Sequence, residues 1–167
     1  MDLSRTHRLA LPLLHAGQAQ KELFHNEALA TLDFIVQPVV QSIDDSAPPQ
    51  TPVPGQCHIV GADATGAWAG AASKLACWTL GGWRFAEPFE GMSIWWIGNG
   101  PVRFEGGEWR VGVVTARKLM IEDQQVVGAQ GEAVALAQGG TVIDVEARTA
   151  IAVIVDRLAS HGLIAGP

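Results

Sequence analysis

Six tryptophans lie between Trp68 and Trp109 in a chain that contains no tyrosine. They occur in short pieces bounded by glycine, which are GAWAG (66–70), LACWTLGGWRF (75–85), SIWWIG (93–98) and GGEWR (106–110). An indole ring is large, flat and amphipathic, so it packs small sheets, stacks on sugar rings and fills interface pockets. The region therefore predicts a small sheet built for tight packing or for binding.

The length of 167 residues predicts one domain, or one domain with appended segments. A net charge of −6 argues against nucleic acid as a partner, because a phosphate backbone requires clustered lysine and arginine. No apolar run reaches 18 residues, so no membrane span is expected. The N-terminus lacks the layout of a signal peptide, so we expect the chain to be made in the cytoplasm and kept there until something carries it out.

The first segment, residues 1–46, predicts a helical docking or oligomerisation element. Asn26 is suited to cap a helix. Pro38 is expected to bend or end that helix, and the upstream stretch 16–25 to form a short helix or turn. Apolar residues recur at helical spacing after the cap, at Leu29, Leu32, Ile35 or Val36, and Val39.

The second segment, residues 47–127, predicts a Trp-rich antiparallel β domain. It opens with the stiff stretch APPQTPVPG (47–55), which marks a boundary. Short strand-like runs follow, with tight hairpin turns expected at the glycine pairs 81–82 and 106–107. Runs joined this closely favour an antiparallel meander of about five or six strands.

Two parts of this second segment do not read as ordinary strands. GADATGAWAGAAS (61–73) is rich in glycine and alanine, which predicts a packed loop that carries Trp68. Residues 118–127 are consistent with either one more strand or a linker.

The third segment, residues 128–167, predicts a linker followed by a C-terminal helix. Asp144 is a suitable N-cap, and Gly162 stands where a glycine commonly ends a helix. One apolar stripe connects the two, formed by Ile151, Ile154, Val155 and Leu158. The chain as a whole is therefore predicted to be an α+β protein, with an N-terminal helical segment, a small central sheet and a C-terminal helix.

The sequence offers no catalytic machinery, so we expect no enzyme, no cofactor and no metal site. His25, Glu27 and Asp33 are close in sequence, but their spacing does not place them on one helical face. The five histidines lack zinc spacing, and no nucleotide, hydrolase or metalloprotease motif is present. Cys57 and Cys77 are predicted to be buried structural thiols, because they form no C-x-x-C pair.

The tryptophans are the candidate ligand or interface residues, above all Trp68, Trp83, Trp95 and Trp96. Trp95 and Trp96 are adjacent, so they must face opposite sides of any strand and imply a second covered face. Trp68 has small neighbours, which suits either a flat platform for a sugar ring or a wedge in a core or subunit interface. We favour the wedge. Arg84 and Glu108 are the hydrogen-bonding partners that a glycan site at Trp68 would require.

The chain resembles an uncharacterised family, domain of unknown function 2793, that is common in prophages and gene transfer agents of alphaproteobacteria. The resemblance rests on the following stretches: LPLLHAGQAQKELFHNEAL (11–29), GQCHIVGADATGAWAG (55–70), LACWTLGGWRFAEPFEGMSIWW (75–96) and TVIDVEARTAIAVIVDRLASHGLI (141–164). It covers nearly the whole chain. The family has no agreed catalytic residues to transfer.

The resemblance implies a structural virion-appendage protein, such as a spike base on the head or a tail-fibre adaptor, that supports host-cell attachment. It also implies assembly in the bacterial cytoplasm, location in the virion, and capsid, tail or fibre proteins as partners. Because the apolar stretch Leu9 to Leu14 lacks obvious cover, we expect a homo-oligomer in a cyclic ring. A longer fibre shaft is expected to come from another chain. The alternative is a carbohydrate-binding module that contacts host capsular polysaccharide directly.

Overall fold

The computed structural model describes residues 4–15, 17, 21–136 and 138–166. The chain divides into two compact units, Met1–Val113 and Val114–Pro167. We call the first the sheet unit and the second the C-terminal unit.

The sheet unit contains one helix and one seven-stranded sheet, with the strand order β4-β3-β2-β1-β5-β6-β7. The elements are α1 (Lys21–Ile35), β1 (Val39–Asp45), β2 (Cys57–Val60), β3 (Leu75–Thr79), β4 (Gly82–Ala86), β5 (Ser93–Trp96), β6 (Gly100–Glu105) and β7 (Glu108–Val111). The α+β class is therefore confirmed, although the described part of the chain is mostly β.

The sheet is mixed, so the prediction of a purely antiparallel sheet is wrong. The central strand β1 is parallel to both neighbours, with Val40 opposite Cys57 on one side and Trp96 on the other. On each side of β1 the strands form an antiparallel meander, β2-β3-β4 or β5-β6-β7. Val39 is the first residue of β1, so its predicted place at the end of a helical stripe is wrong. β-branched residues such as Val39, Val40 and Ile43 are typical of strands.

Helix α1 begins at Lys21, five residues before the predicted cap, so the prediction that Asn26 caps a helix is wrong. Asn26 lies inside α1, and its side chain binds the backbone of Leu14. The amide oxygen accepts from the Leu14 N–H at 2.9 Å, and the amide nitrogen donates to the Leu14 carbonyl at 3.0 Å. The predicted short helix or turn at 16–25 lies partly outside the described residues.

Residues 4–15 form a strap that is held against α1 by polar contacts. The buried Asp33 carboxylate accepts hydrogen bonds from the Thr6 hydroxyl at 2.6 Å and from the N–H groups of Arg8 at 3.0 Å and Leu9 at 2.6 Å. The Arg8 guanidinium donates to the carbonyls of Asp33 at 2.6 Å and Gln37 at 2.8 Å. Arg8 thus donates hydrogen bonds to carbonyl groups at and just after the C-terminal end of α1, where a helix has no N–H partners of its own for its last carbonyls.

A hairpin is present at each predicted glycine pair, but only the second turn has the predicted residues. In the first, Thr79 pairs with Gly82, so the turn residues are Leu80 and Gly81, and Gly82 is the first residue of β4. In the second, Glu105 pairs with Glu108, and the two residues between them, Gly106 and Gly107, have φ angles of +63° and +83°. Positive φ at both loop positions is the geometry of a two-residue turn whose twist matches that of the flanking strands.

The sheet has a core on each face. The core that includes Phe34 of α1, which we call the helix-side core, contains Phe34, Val40, Cys57, Ile59, Leu75, Cys77, Met92, Ile94 and Val102. The loop-side core contains Val60, Trp68, Ala71 and Ala76. Successive strand residues point to opposite faces, which is why Ile59 and Val60 belong to different cores. The loop 61–73 inserts Trp68 into the loop-side core, as predicted.

The C-terminal unit contains a hairpin and a helix, and the helix ends as the sequence predicts. The elements are β8 (Leu119–Ile121), β9 (Gln124–Val127) and α2 (Val145–Ser160). The Asp144 carboxylate caps α2 by accepting from the Ala147 N–H at 2.8 Å. Gly162 has a φ of +71°, and Leu163 folds back to donate to the Leu158 carbonyl at 3.0 Å. This is the Schellman geometry in which glycine is favoured.

The predicted apolar stripe of α2 is only partly covered. Val155 is buried, whereas Ile151 and Ile154 are exposed. Val155 is the one buried side chain in the described part of this unit. Neither α1 nor α2 is long and apolar enough to cross a membrane, in a search confined to the described residues.

Candidate functional site

Three of the tryptophans form one aromatic cluster with His58. The ring centroid of Trp83 lies 5.1 Å from that of Trp68 and 5.2 Å from that of Trp78, in edge-to-face arrangements. The His58 ring lies 5.5 Å from Trp68 and 5.8 Å from Trp83. Edge-to-face pairs are favoured because the positive edge of one ring meets the negative face of the next. We call these four residues the aromatic cluster.

Trp68 is fully buried in this cluster, with 0% of its surface exposed. It therefore offers no flat platform to a sugar ring, and the packing interpretation is favoured. Arg84 and Glu108, the partners that a glycan site there would require, are engaged elsewhere. Arg84 binds Glu27, and Glu108 lies 3.2 Å from Arg110.

His58 is the polar member of the cluster. Its Nδ1 lies 2.8 Å from the Ser42 hydroxyl, which also binds the Asp45 carboxylate. Because a carboxylate only accepts, Ser42 donates to Asp45 and accepts from Nδ1–H, which leaves Nε2 without a hydrogen. Burial lowers the pKa of His58, and the charge of Asp45 opposes that shift. The imidazole is thus held neutral between the sheet and Trp68, where it supports packing.

Trp95 is the exposed tryptophan, with 53% of its surface accessible. Its neighbours Ile94 and Trp96 contact the helix-side core, so Trp95 lies on the opposite face of the sheet. Strand register places Pro101 directly beside it, and the pairs Ser93↔Arg103 and Arg103↔Arg110 extend the same face. All five side chains are exposed. We call Ser93, Trp95, Pro101, Arg103 and Arg110 the Trp95 surface.

Trp96 confirms that the adjacent pair faces both sides of its strand. It packs against the helix-side core, and its indole N–H donates to the Gln41 carbonyl at 3.3 Å. Trp83 is half-buried and packs against the loop-side core. Of the four candidate tryptophans, Trp95 is therefore the most available to a ligand.

A cavity of about 190 Å³ lies between the strap, α1 and the β3–β4 hairpin. Trp78 contributes to its wall, and a bidentate pair stands at its side, with Arg84 nitrogens 2.9 and 2.7 Å from the two Glu27 carboxylate oxygens. The hydrogen bonds from Arg84 lower the pKa of Glu27, against a smaller opposing effect of burial. The cavity also reaches Cys77.

The structure does not bring His25, Glu27 and Asp33 together as an acid–base group. Asp33 binds the strap, Glu27 binds Arg84, and His25 is exposed. The pair Glu27–Arg84 joins residues 57 positions apart, so no local pattern indicated it. No group of three or more histidine, cysteine, aspartate or glutamate side chains in the described chain is arranged to hold a metal ion.

The chain belongs to the family described as "Protein of unknown function (DUF2793)", whose profile matches residues 25–110. The match confirms the family itself over residues 25–110, whereas the resembling stretch 141–164 lies outside the matched region. The matched region contains most of α1 and the seven strands of the sheet except the last residue of β7. No curated protein and no solved structure matches the chain.

Proposed function

We propose that this DUF2793 family member is a structural protein of a phage or gene-transfer-agent appendage, a spike base or tail-fibre adaptor that supports host-cell attachment. We further propose that it works as a closed homo-oligomer with capsid, tail or fibre proteins as neighbours. The virion assignment is supported by the sequence resemblance. The observation that carries the oligomer is the exposed apolar surface of the C-terminal unit.

The hairpin of that unit is apolar and exposed on both faces. Leu119, Ile121 and Val127, the partner of Leu119, lie on one face, and Met120 lies on the other, opposite Gln125. Val126 falls at the register shift and is also exposed. Every residue of β8 and β9 is exposed. An isolated two-stranded hairpin is marginal in water, so contacts outside the chain are the natural source of its stability.

Helix α2 and the residues just before it also expose large apolar side chains. Ile154 is 58% exposed and Val142, just before the N-cap, is 89% exposed. A unit of about 50 residues with one buried side chain is too small to be stabilised by a hydrophobic core of its own. Second copies of the same chain supply cover of matching apolar chemistry, as obligate homo-oligomers do.

A ring fits these surfaces better than a two-fold dimer. A two-fold interface uses one patch twice and leaves the rest of each subunit free. Head-to-tail contacts around a ring give each subunit two neighbours, so that both faces of the β8–β9 hairpin are covered.

Light scattering after size exclusion tests the oligomer. The parent chain at about 10 µM should give the mass of several copies, and Ile154→Asp should shift it toward the monomer while far-UV circular dichroism stays unchanged. Val53→Asp, which places a charge at an equally exposed position in the sheet unit, is the matched control and should keep the parent mass. A monomeric parent refutes the oligomer.

Immunogold labelling tests the virion assignment. Particles purified from a strain that carries the gene should be labelled at the base of a head spike or at the tail. Particles from a deletion strain should be unlabelled and should adsorb less to host cells. Purified particles that contain none of the chain by mass spectrometry would rule the assignment out.

The Trp95 surface favours a second candidate, direct binding of an acidic host polysaccharide. An exposed indole stacks on sugar rings, and guanidinium groups bind carboxylates bidentately. Arg103 and Arg110 lie beside each other in register on this face, and a polysaccharide carboxylate would compete with Glu108, which lies 3.2 Å from Arg110. Stacking of about 1–3 kcal/mol predicts that Trp95→Ala weakens binding about fivefold or more. Phe89→Ala, at an exposed aromatic outside this surface, is the control. Equal binding by both variants would exclude Trp95.

A further inference from the structure

The two cysteines of the chain are directly opposite each other in the sheet. Cys57 of β2 pairs with Cys77 of β3, and both are free thiols in the helix-side core. We propose that this pair is an oxidation site, at which a small peroxide converts the two thiols into a reversible intramolecular disulfide. The proposal is independent of the proposed function, because it concerns the sheet unit alone.

The strand register gives the pair suitable geometry. Ladder hydrogen bonds run from the Trp78 N–H to the Gln56 carbonyl at 2.9 Å, in the pair next to the cysteines, and from the Val60 N–H to the Lys74 carbonyl at 3.0 Å, three positions along on the other side. Antiparallel pairs alternate, so Cys57 and Cys77 occupy a non-hydrogen-bonded position. Opposite Cα atoms there are about 4.5 Å apart, which is within the range of about 4.4–6.8 Å found across disulfides.

The two thiols already interact. A hydrogen bond from the Cys77 thiol lowers the pKa of Cys57, whereas that same bond and burial raise the pKa of Cys77. The pair therefore loses its first proton far more readily than its second and holds the remaining proton between the two sulfurs. A thiolate is the species that reacts with peroxide.

The cavity beside the strap supplies a route to the pair. It has a volume of about 190 Å³, and Cys77 lines it together with Thr6 and Thr79. A water molecule occupies about 30 Å³ in the liquid, so the cavity has room for a peroxide of similar size. A tripeptide disulfide such as oxidised glutathione is many times larger than a peroxide, so we expect it to reach Cys77 far more slowly. The site should therefore select oxidants by size.

The reaction balances in two steps. Cys57, whose pKa is lowered, gives up the first proton. Its thiolate takes up the thiol proton of Cys77 as the Cys77 sulfur, which lines the cavity, attacks one oxygen of hydrogen peroxide. The O–O bond breaks, and hydroxide leaves while Cys77 becomes a sulfenic acid. The Cys57 sulfur then attacks the Cys77 sulfur, the S–O bond breaks, and the departing hydroxide takes up a proton to leave as water. Two thiols and one peroxide thus give one disulfide and two waters, and the peroxide accepts the two electrons.

The disulfide would close a loop that contains residues 61–73 and therefore Trp68. A cross-link between Cys57 and Cys77 lowers the conformational entropy of the unfolded chain, which stabilises the folded state relative to it. Oxidation should consequently raise the melting temperature of the sheet unit, and reduction should reverse the change.

The experiment uses the full chain, treated with hydrogen peroxide under native conditions, then denatured and alkylated. We expect peptides containing Cys57 and Cys77 to be joined with the loss of two hydrogens, and a phosphine reductant to separate them. The melting temperature should rise by about 5 °C or more before reduction. Oxidation of methionines adds oxygen, so the loss of two hydrogens distinguishes the cross-link.

Two comparisons make the test decisive. In Cys57→Ala, peroxide should add oxygen to Cys77 and give no cross-link. Should that variant fail to fold, oxidised glutathione on the parent chain provides the second comparison and should react at least tenfold more slowly than peroxide. Full alkylation of both thiols after peroxide, or sulfinic acid without a cross-link, overturns the disulfide. Equal rates with the two oxidants overturn the cavity route.

Discussion

Arg8 and Asp33 bind each other through both backbone and side chain. The Arg8 N–H donates to the Asp33 carboxylate at 3.0 Å, and the Arg8 guanidinium donates to the Asp33 carbonyl at 2.6 Å. Asp33 is 5% exposed, and its carboxylate accepts two further hydrogen bonds from the strap. One acidic side chain near the end of α1 thereby fixes the path of residues 4–15.

Asp33→Ala should be strongly destabilising. It leaves the Thr6 hydroxyl and the N–H groups of Arg8 and Leu9 without their acceptor. A buried donor without a partner costs about 1–3 kcal/mol, and partly buried donors such as these cost less. We expect the free energy of unfolding to fall by about 3 kcal/mol in urea titrations followed by tryptophan fluorescence. Asp63→Ala, at an exposed carboxylate, should stay within about 0.5 kcal/mol of the parent. Equal losses in the two variants would contradict the role given to Asp33.

Trp68→Ala should also destabilise the sheet unit. Replacing a fully buried tryptophan costs about 3–5 kcal/mol, which is a large share of a domain's stability. Trp95→Ala removes an indole of the same size from an exposed position and should cost less than about 1 kcal/mol. Thermal melting of both variants makes the comparison. A Trp68→Ala protein that melts with the parent would mean that the loop-side core does not depend on this ring.

Stability should fall as the pH drops below about 6.5, the ordinary pKa of histidine, because of His58. Burial lowers the pKa of His58 in the folded state, so the unfolded chain binds the proton first. The stabilisation that depends on neutral His58 is fully present above the pKa of His58 in the unfolded chain. It is lost as the pH falls through the lowered pKa of His58 in the folded protein. His58→Asn keeps a donor for Ser42 but does not titrate, so its unfolding free energy should depend less on pH between 7 and 5. Parallel pH profiles for parent and variant would refute this.

The pair Glu27–Arg84 should contribute little to stability despite its bidentate geometry. The side chains are 48% and 34% exposed, and such pairs are worth about 0–1 kcal/mol. A double-mutant cycle with Glu27→Gln and Arg84→Gln should give a coupling in that range that shrinks in 1 M salt. A coupling above about 2 kcal/mol, or one insensitive to salt, would indicate a role in the cavity beyond surface pairing.

Local signals predicted the parts of the fold that are themselves local. Asp144 and Gly162 marked the two ends of α2, and the glycine pairs marked two hairpins, because a cap or a turn involves residues a few positions apart. β1 was missed because its partners are contributed by distant residues and its valines also fit a helical stripe. The prediction for Asn26 was wrong because this residue lies inside α1 and its amide binds the backbone of Leu14 in the strap. That contact has no sequence signature.

The candidate site was predictable only in part. The adjacent tryptophans required opposite faces, which the structure confirms, with Trp96 packed. The expected cover of the second face is not provided by the described residues, because Trp95 is 53% exposed. At Trp68 the choice between a glycan platform and a packed wedge depended on exposure, which small neighbours do not determine. The buried acceptor Asp33 and the cysteine register depend on how α1 and the meanders come together, so composition and spacing carried no information about them.

The central position of β1 determines when the sheet can be completed during synthesis. Val40 pairs with Cys57 and with Trp96, so the second partner is made 56 residues after Val40 itself. A nascent chain shorter than this presents a β-branched strand with one open edge, which is a template for pairing with another copy. Fragments that end before Ser93 should therefore aggregate. Once the meander β5-β6-β7 has been made, β5 pairs with β1 and the open edge is closed.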